Sequence, residues 1–295
     1  MLKKIAVIGA GTMGAGIAQW FCQQDIEVEL LDIHQEILDS SKAKIYESWD
    51  KLEKKNKFSS DEIKKFKSSI NVKPLYLNDS KELALSHDTD LVLEAIIEDL
   101  ELKRKLFRSL DSHCSKHTII ASNTSSLPIA SLAQSISNER KKVFLGLHFF
   151  NPATIMKLVE IIPLQETDKK TVSSLSEWLR ERNKKPANCA DSPGFIVNRV
   201  ARNFYGESLR VLSEAGHSQK NARQIDHVLK ECGGFKMGPF ELMDLIGIDV
   251  NYNVTQSVWE SFYRESRFAP HLIQKQMVDA GKLGKKTKKG FYDYE

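Results

Sequence analysis

The chain has 295 residues, enough for two domains at the usual ~100–200 residues each. Its 43 basic and 39 acidic residues leave a net charge of +4, too even for a protein that coats nucleic acid. With 41% apolar and 28% charged residues it has the composition of a globular chain, which excludes a disordered one. Cys22, Cys114, Cys189 and Cys232 show no CxxC spacing, so free thiols in a reducing compartment and no metal site are expected. The opening MLKKIAVIGA puts two lysines before an apolar stretch too short and glycine-broken for a signal peptide. No apolar run approaches the ~20 residues that cross a bilayer. A soluble, cytoplasmic protein with no membrane partner is expected.

From the N-terminus to about residue 185, KIAVIG, VELLD, LVLEAI, TIIASN, VFLGLHFF and KLVEII read as strands alternating with helical patterns. This predicts a doubly wound, mostly parallel α/β sheet of Rossmann type. Directly after the first strand, Gly9, Gly11 and Gly14 form GxGxxG at the mouth of a helix. Gly9 allows the tight turn, Gly11 lets the backbone approach a pyrophosphate and Gly14 lets helix pack on strand, while Thr12 and Met13 open the helix whose free amides attract anions. Alone this spacing also occurs in ordinary glycine-rich turns. Here EVELLD follows and ends in Asp32, eighteen residues beyond Gly14, where a carboxylate can accept bonds from adenosine ribose hydroxyls. Asp32 favours NAD over NADP, because a ribose phosphate beside it costs roughly 1 kcal/mol in water and about 4 at an effective dielectric of 20. The alternative is that Asp32 caps the next helix, and both roles can coexist.

Residues 36–70 are too many and too polar for one crossover helix. They read as a helical hairpin, Glu36 to Lys57 and Ser60 to Ser68, joined near Phe58 and expected to project from the sheet. Further on, ASNTSSLPI and LGLHFFNPATIMKLVEII place polar clusters at the carboxyl ends of strands, where ligands of open α/β sheets bind. His148 ends an apolar run, Asn151-Pro152 turns the chain, and Glu160 sits inside the next apolar strand, where a carboxylate is costly unless paired. The return can bring Glu160 to His148 and orient the imidazole as a general base. A buried structural histidine is the plain alternative.

After Asp191 the strand signals stop. SPGFIVNRVARNFYGESLRVLSEAG, with its proline at an early helical position, then Ser218–Glu231, Pro239–Ile246, Val250–Glu265 and Pro270–Ala280 read as helices. An NAD-binding domain at 1–187 and an all-helical domain at 188–295 are expected.

IGAGTMGAGIAQ, LVLEAIIEDLELKRKLF, IIASNTSSLPI, LGLHFFNPATIMKLVEII, DSPGFIVNR, GGFKMGPFELMDLIG and GKKTKKGFYDY together resemble the 3-hydroxyacyl-CoA dehydrogenase family in its short, 3-hydroxybutyryl-CoA dehydrogenase form. The likeness runs from residue 3 to the end, in order. It implies NAD-dependent, reversible oxidation of an L-3-hydroxyacyl-CoA to the 3-ketoacyl-CoA. By motif match His148 is the general acid/base and Glu160 its partner, with Ser125 and Asn198 around the substrate's C3 oxygen. Gly9, Gly11, Thr12, Met13, Gly14 and Asp32 match cofactor contacts, and Glu98, Lys103, Ser125 and Asn151 lie near the nicotinamide half. Lys286 matches a cofactor contact from the tail. Ser48, Lys55 and Ser125 match contacts to the acyl-CoA, and a homodimer through the helical domain is implied.

The resemblance departs only in the tail, TKKGFY, where many relatives are less basic. No enoyl-CoA hydratase segment accompanies the chain, so the single-activity form is expected. As structural alternatives, Ser125 could cap the helix near Pro128 and Asn198 could be an ordinary helix-surface residue. Two other functional readings compete: a crystallin-like relative acting on a free hydroxy or sugar acid, and a non-catalytic nucleotide-binding relative. Ser48, Lys55 and the basic hairpin oppose the first, and the intact His148, Glu160, Ser125 and Asn198 set opposes the second. Residues 41–70 carry a net +4 and residues 280–295 a net +3, so the remainder of the chain is acidic. An anionic coenzyme A explains the first excess, though lysine-rich solvated helices are common.

Overall fold

The computed structural model describes residues 2–76 and 85–295. The chain divides into two compact units, Met1–Asp191 and Ser192–Glu295.

The first unit is built on an eight-stranded sheet ordered β3-β2-β1-β4-β5-β6-β7-β8. The strands are β1 (Lys4–Ile8), β2 (Glu27–Asp32), β3 (Ile70–Pro74), β4 (Leu91–Glu94), β5 (Ile119–Ser122), β6 (Phe144–Phe149), β7 (Leu158–Pro163) and β8 (Lys185–Asn188). All neighbours run parallel except β6 and β7. The central strands are continuous apolar runs because helices cover both faces. These helices include α1 (Thr12–Cys22), α2 (Gln35–Lys54), α3 (Ser60–Ser69) and α4 (Leu100–His113), then two single turns, α5 (Ile129–Leu132) and α6 (Asn138–Lys141), and α7 (Lys169–Glu181). The chain order reverses between β1 and β4, the switch point at which doubly wound sheets open a crevice.

Two edge strands escape the sequence reading. β8 contains Pro186, which cannot donate to a ladder and is tolerated only at an edge, and β3 is a half-exposed strand continuous with α3. The expected domain break after residue 187 falls inside β8. The hairpin also differs from expectation. It ends its first helix at Lys54, with Asn56 at φ 53°, and the Ser59–Glu62 capping box opens α3. Rather than projecting, it buries Leu38, Ile45, Trp49, Ile63 and Phe66 in the same core as the sheet residues Val28, Leu30 and Ile70. Those five apolar residues recur at helical spacing and form a stripe that the many lysines obscure.

The second unit comprises α8 (Val197–Ala215), α9 (Gln219–Glu231), α10 (Pro239–Ile246), α11 (Ile248–Ser261) and α12 (Leu272–Asp279) around Leu209, Leu212, Phe240, Met243 and Ile248. Pro193 is not an early helical residue: Gly194 and Phe195 adopt φ 73° and 49°, so α8 starts only at Val197. Two buried acids tie the C-terminal tail down. Asp244 accepts from the amides of Phe291 and Tyr292, each at 2.9 Å, and from the Tyr294 hydroxyl at 3.0 Å. Asp226 accepts from the amides of Phe240 and Glu241 and, at 2.7 Å, from the Tyr292 hydroxyl. Among the described residues no helix is long and apolar enough to cross a membrane, and no cluster of metal ligands occurs.

Candidate active site

The glycine turn between β1 and α1 is shaped by steric need. Gly9 sits at φ 101°, where a side chain would also strike the Ala95 carbonyl oxygen, and a Cβ on Gly14 would collide with the Gly9 carbonyl. A Cβ on Gly11, by contrast, meets nothing within 4 Å. Gly11 is the N-cap of α1 and no acidic residue stands in the first turn, so the helix amides there face open space. This cradle fits a pyrophosphate. Asp32 ends β2 and accepts from the Ala10 amide at 2.8 Å through one oxygen and from the His34 amide at 3.0 Å through the other. It therefore fixes the turn, and as a half-buried carboxylate it keeps further acceptor capacity for ribose hydroxyls.

A cavity of about 550 Å³ opens beside this turn, bounded by Gly11 and Thr12 on α1, Lys44 and Ser48 on α2, and the loop Asn151–Thr154 after β6. The Ser41 hydroxyl donates to the Ala10 carbonyl at 2.5 Å, and the Gln19 amide donates to Ser48 Oγ at 2.9 Å, which stitches α2 to the turn and to α1. Lys55, at the end of α2, is exposed and does not line this cavity.

The reactive cluster lies further along the same strand ends. β6 and β7 pair antiparallel with His148 directly opposite Glu160. His148 Nδ1 stands 2.8 Å from Glu160 Oε2, and Nε2 stands 3.1 Å from Ser125 Oγ. The imidazole is 4% exposed and the carboxylate 0%, so the pair is shielded from water. Asn123 Oδ1 accepts from the Phe149 amide at 2.8 Å, holding the loop after β5 to the strand that carries His148.

That loop is gripped by a carboxylate. Glu98 Oε1 accepts from the amides of Ser125 and Ser126 at 3.0 and 3.1 Å and from the hydroxyls of Thr124 and Ser126 at 2.5 and 2.9 Å. Lys103, on α4, stands 3.2 Å from Glu98 Oε2 and pairs on its other side with Glu94, which ends β4. Glu94 also accepts from Ser122 Oγ at 2.6 Å and from the Ile96 amide at 2.8 Å. Burial pushes the Glu94 carboxyl above the usual carboxylate range despite Lys103. Burial also pushes on Glu98, but the Lys103 charge and the hydroxyl donors prevail and hold it below that range. Lys103 is 1% exposed, enclosed between these two carboxylates. Its influence reaches the site through Glu98 and the loop bearing Ser125.

In the second unit, Asn198 is the second residue of α8 and its carbonyl accepts from Arg202 Nε at 3.0 Å. Lys286 donates to Asp249 at 2.6 Å. Sequence reasoning passed over Glu94, although a carboxylate ending the apolar strand LVLE is the signal that singled out Glu160. It also passed over Asp191, whose two oxygens accept from the amides of Ile129 and Ala130 at the start of α5.

A glycine cradle at the switch point and a histidine–carboxylate pair on the same sheet are the apparatus of a dinucleotide-dependent oxidoreductase. The descriptions "3-hydroxyacyl-CoA dehydrogenase, NAD binding domain" and "3-hydroxyacyl-CoA dehydrogenase, C-terminal domain" match residues 4–192 and 194–294. The mitochondrial hydroxyacyl-coenzyme A dehydrogenase of Sus scrofa is 41% identical over 300 residues, spanning 100% of this chain and 92% of the relative. The crystal structure of (S)-3-hydroxybutyryl-CoA dehydrogenase from Ralstonia eutropha superposes with a TM-score of 0.88 at 32% identity, covering 100% of both chains. That of 3-hydroxybutyryl-CoA dehydrogenase from Escherichia coli K12 gives 0.91 at 39% identity, this chain covering 60% of that one's length. The chain belongs to the 3-hydroxyacyl-CoA dehydrogenase family. It is an NAD-dependent oxidoreductase.

Proposed function

We propose that the protein interconverts a short-chain L-3-hydroxyacyl-CoA, of which 3-hydroxybutyryl-CoA is the type, and its 3-ketoacyl-CoA, with His148 as general acid/base. The observation that carries this reading is the direct pairing of His148 with Glu160, with Ser125 at the far nitrogen. A carboxylate only accepts, so Glu160 fixes the hydrogen on Nδ1 and leaves the Nε2 lone pair directed toward Ser125. A substrate hydroxyl presented there loses its proton to Nε2, and the imidazolium that forms stands beside a buried negative charge. Such a base is worth about 10²–10⁴-fold, and positioning and polarisation supply the rest. Ser125 Oγ can donate to the C3 oxygen as it becomes a carbonyl, and Asn198 is proposed for the same task by its motif.

Bound NAD supplies the hydride acceptor. The amides of Gly11, Thr12 and Met13 would hold its pyrophosphate and Asp32 its adenosine ribose, with Asn151 and Lys286 as further contacts. Ser48, Lys55 and the basic hairpin would meet the coenzyme A. A cytoplasmic homodimer through the second unit completes the proposal. Val200, Val211, Leu245, Val250 and Leu272 there are exposed apolar residues. Sedimentation as a monomer at working concentration overturns that part.

One assay tests the activity: NADH oxidation with acetoacetyl-CoA beside free acetoacetate. Turnover of the thioester alone is expected. Turnover of the free acid alone favours the crystallin-like reading, and turnover of neither favours a non-catalytic relative. His148→Ala should lose turnover and keep NADH binding, and a fully active His148→Ala refutes the mechanism.

A further inference from the structure

Lys184 is a buried cation that the chemistry above does not use. It follows α7 through a turn at Asn183, φ 60°, and its amide donates to the Leu179 carbonyl at 3.0 Å. The side chain runs inward until it is 5% exposed. Its Nζ donates to the carbonyls of Ala153 at 2.5 Å and Met156 at 2.7 Å. The same ammonium stands 4.5 Å from the centroid of the Trp20 ring and 5.7 Å from that of Phe149. Burial alone lowers its pKa, to about 8, with no carboxylate countering it.

The partners of this ammonium come from three elements, two of which, α1 and the loop after β6, line the cavity. Trp20 lies on α1, the helix that opens at Gly11. Phe149 follows His148 at the end of β6. Ala153 and Met156 belong to the loop whose residues Asn151–Thr154 form one wall of the cavity. Within that loop the amides of Ile155 and Met156 both donate to the Pro152 carbonyl, at 3.0 and 2.9 Å, so it is a compact hydrogen-bonded turn. It comes near α1 at Gly16, where an added Cβ would stand 3.8 Å from that of Ala153.

We propose that Lys184 is a positioning residue for dinucleotide binding: its ammonium, seated on Trp20 and Phe149 and donating to Ala153 and Met156, holds the Asn151–Met156 loop against α1. The Asn151–Thr154 wall of the cavity therefore depends on an internal cation in an aromatic and carbonyl cage. This rests on the reading that the cavity beside Gly11 receives the cofactor.

Lys184→Met keeps the apolar stem and removes the charge and the donors. Its dissociation constant for NADH, from fluorescence titration, should rise about tenfold, the size of one lost charge-assisted hydrogen bond, while kcat at saturating NADH falls less than about threefold. In Lys184→Ala, ethylammonium should enter the emptied cage and restore NADH affinity, and it should do nothing for Lys184→Met. Melting temperatures of both variants ensure that affinity is read on folded protein. Parental NADH affinity in Lys184→Met overturns the inference. So does a Lys184→Ala protein whose affinity ethylammonium does not change, which decides the matter where Lys184→Met fails to fold. A fully active His148→Ala beside a weakly binding Lys184→Met would refute the chemical reading and leave this one standing.

Discussion

Glu160→Gln is the substitution that isolates the charge behind the proposed base. Glutamine preserves the volume at a position with no solvent exposure, so packing against β6 is retained and only the electrostatics change. With the carboxylate oxygen 2.8 Å from Nδ1, charge centres about 4 Å apart interact by about 4 kcal/mol at an effective dielectric of 20. That energy is absent while the imidazole is neutral and present once it has taken the substrate's proton, so it acts on the transition state. At about 1.4 kcal/mol per decade its loss lowers kcat by about 10³-fold. The amide adds a second penalty where it turns its NH₂ toward the ring, because Nδ1 must then accept and the hydrogen moves to Nε2, the wrong tautomer for a base. The assay is stopped-flow NADH formation from NAD and L-3-hydroxybutyryl-CoA at saturation, with NADH titrated separately. Expected are a kcat reduced by about three decades and an NADH affinity within about twofold of the parent. A kcat within tenfold of the parent would show that Glu160 only fills space.

Asp32→Ala removes a carboxylate that both fixes the glycine turn and repels a ribose phosphate. The preference for NAD over NADP in kcat/KM should fall at least about fivefold, and an unchanged ratio rejects the assignment. Lys103→Met strands two carboxylates and should cost about 3–5 kcal/mol in urea unfolding, less than 1 kcal/mol being the refuting result. Its deficit should shrink on acidification. Glu94 has a folded-state pKa above its unfolded value, so the folded state binds more protons, and stability falls as pH rises from about 4.3 through that raised value. Removing Lys103 raises it further and widens the window. Asp244→Asn leaves one oxygen for the amides of Phe291 and Tyr292 and turns an NH₂ toward the other, so trypsin should cut at Lys285–Lys289 faster than in the parent, and an equal cleavage rate argues against the clamp.

The central strands were legible because a parallel sheet covered on both faces demands unbroken apolar runs, and AVI, LVL and FLGL supply them. The edge strands were not, since a half-exposed pentapeptide and a proline-bearing tetrapeptide look like linker. For the same reason of local contrast, the apolar stripe of the hairpin was lost among nine lysines between Ser41 and Ile70, which made the hairpin look detached. His148, Glu160 and Ser125 were placed together by motif, and the structure brings them within hydrogen-bond reach. Lys103 shows the limit of that method. A spacing identifies the residue but not that it is enclosed by Glu94 and Glu98.

Glu94 and Glu160, the two glutamates at zero exposure among the described residues, show the physical reason. Each lies in an apolar strand, and each is compensated by a nitrogen base, so their signals in the sequence are alike. Their consequences differ because of the partner. An ammonium is only a donor, and that of Lys103 is spread over Glu94, Glu98 and the Ile96 carbonyl, which makes a closed strut. An imidazole has a second nitrogen on the far side of its ring, beyond the reach of the carboxylate that orients it, and there it meets Ser125. The antiparallel turn of β7 is what provides this. A parallel strand would need a crossover of a dozen or more residues to return, whereas the Asn151–Lys157 connection reverses directly and sets position 160 opposite position 148. A slip of one residue in that register would turn Glu160 to the other face of the sheet, leaving a buried carboxylate without its imidazole and an imidazole without its orientation. The proposed chemistry therefore depends on the register of the antiparallel β6–β7 pair, and an insertion of one residue between Leu158 and Glu160 should abolish turnover while the parallel core remains folded.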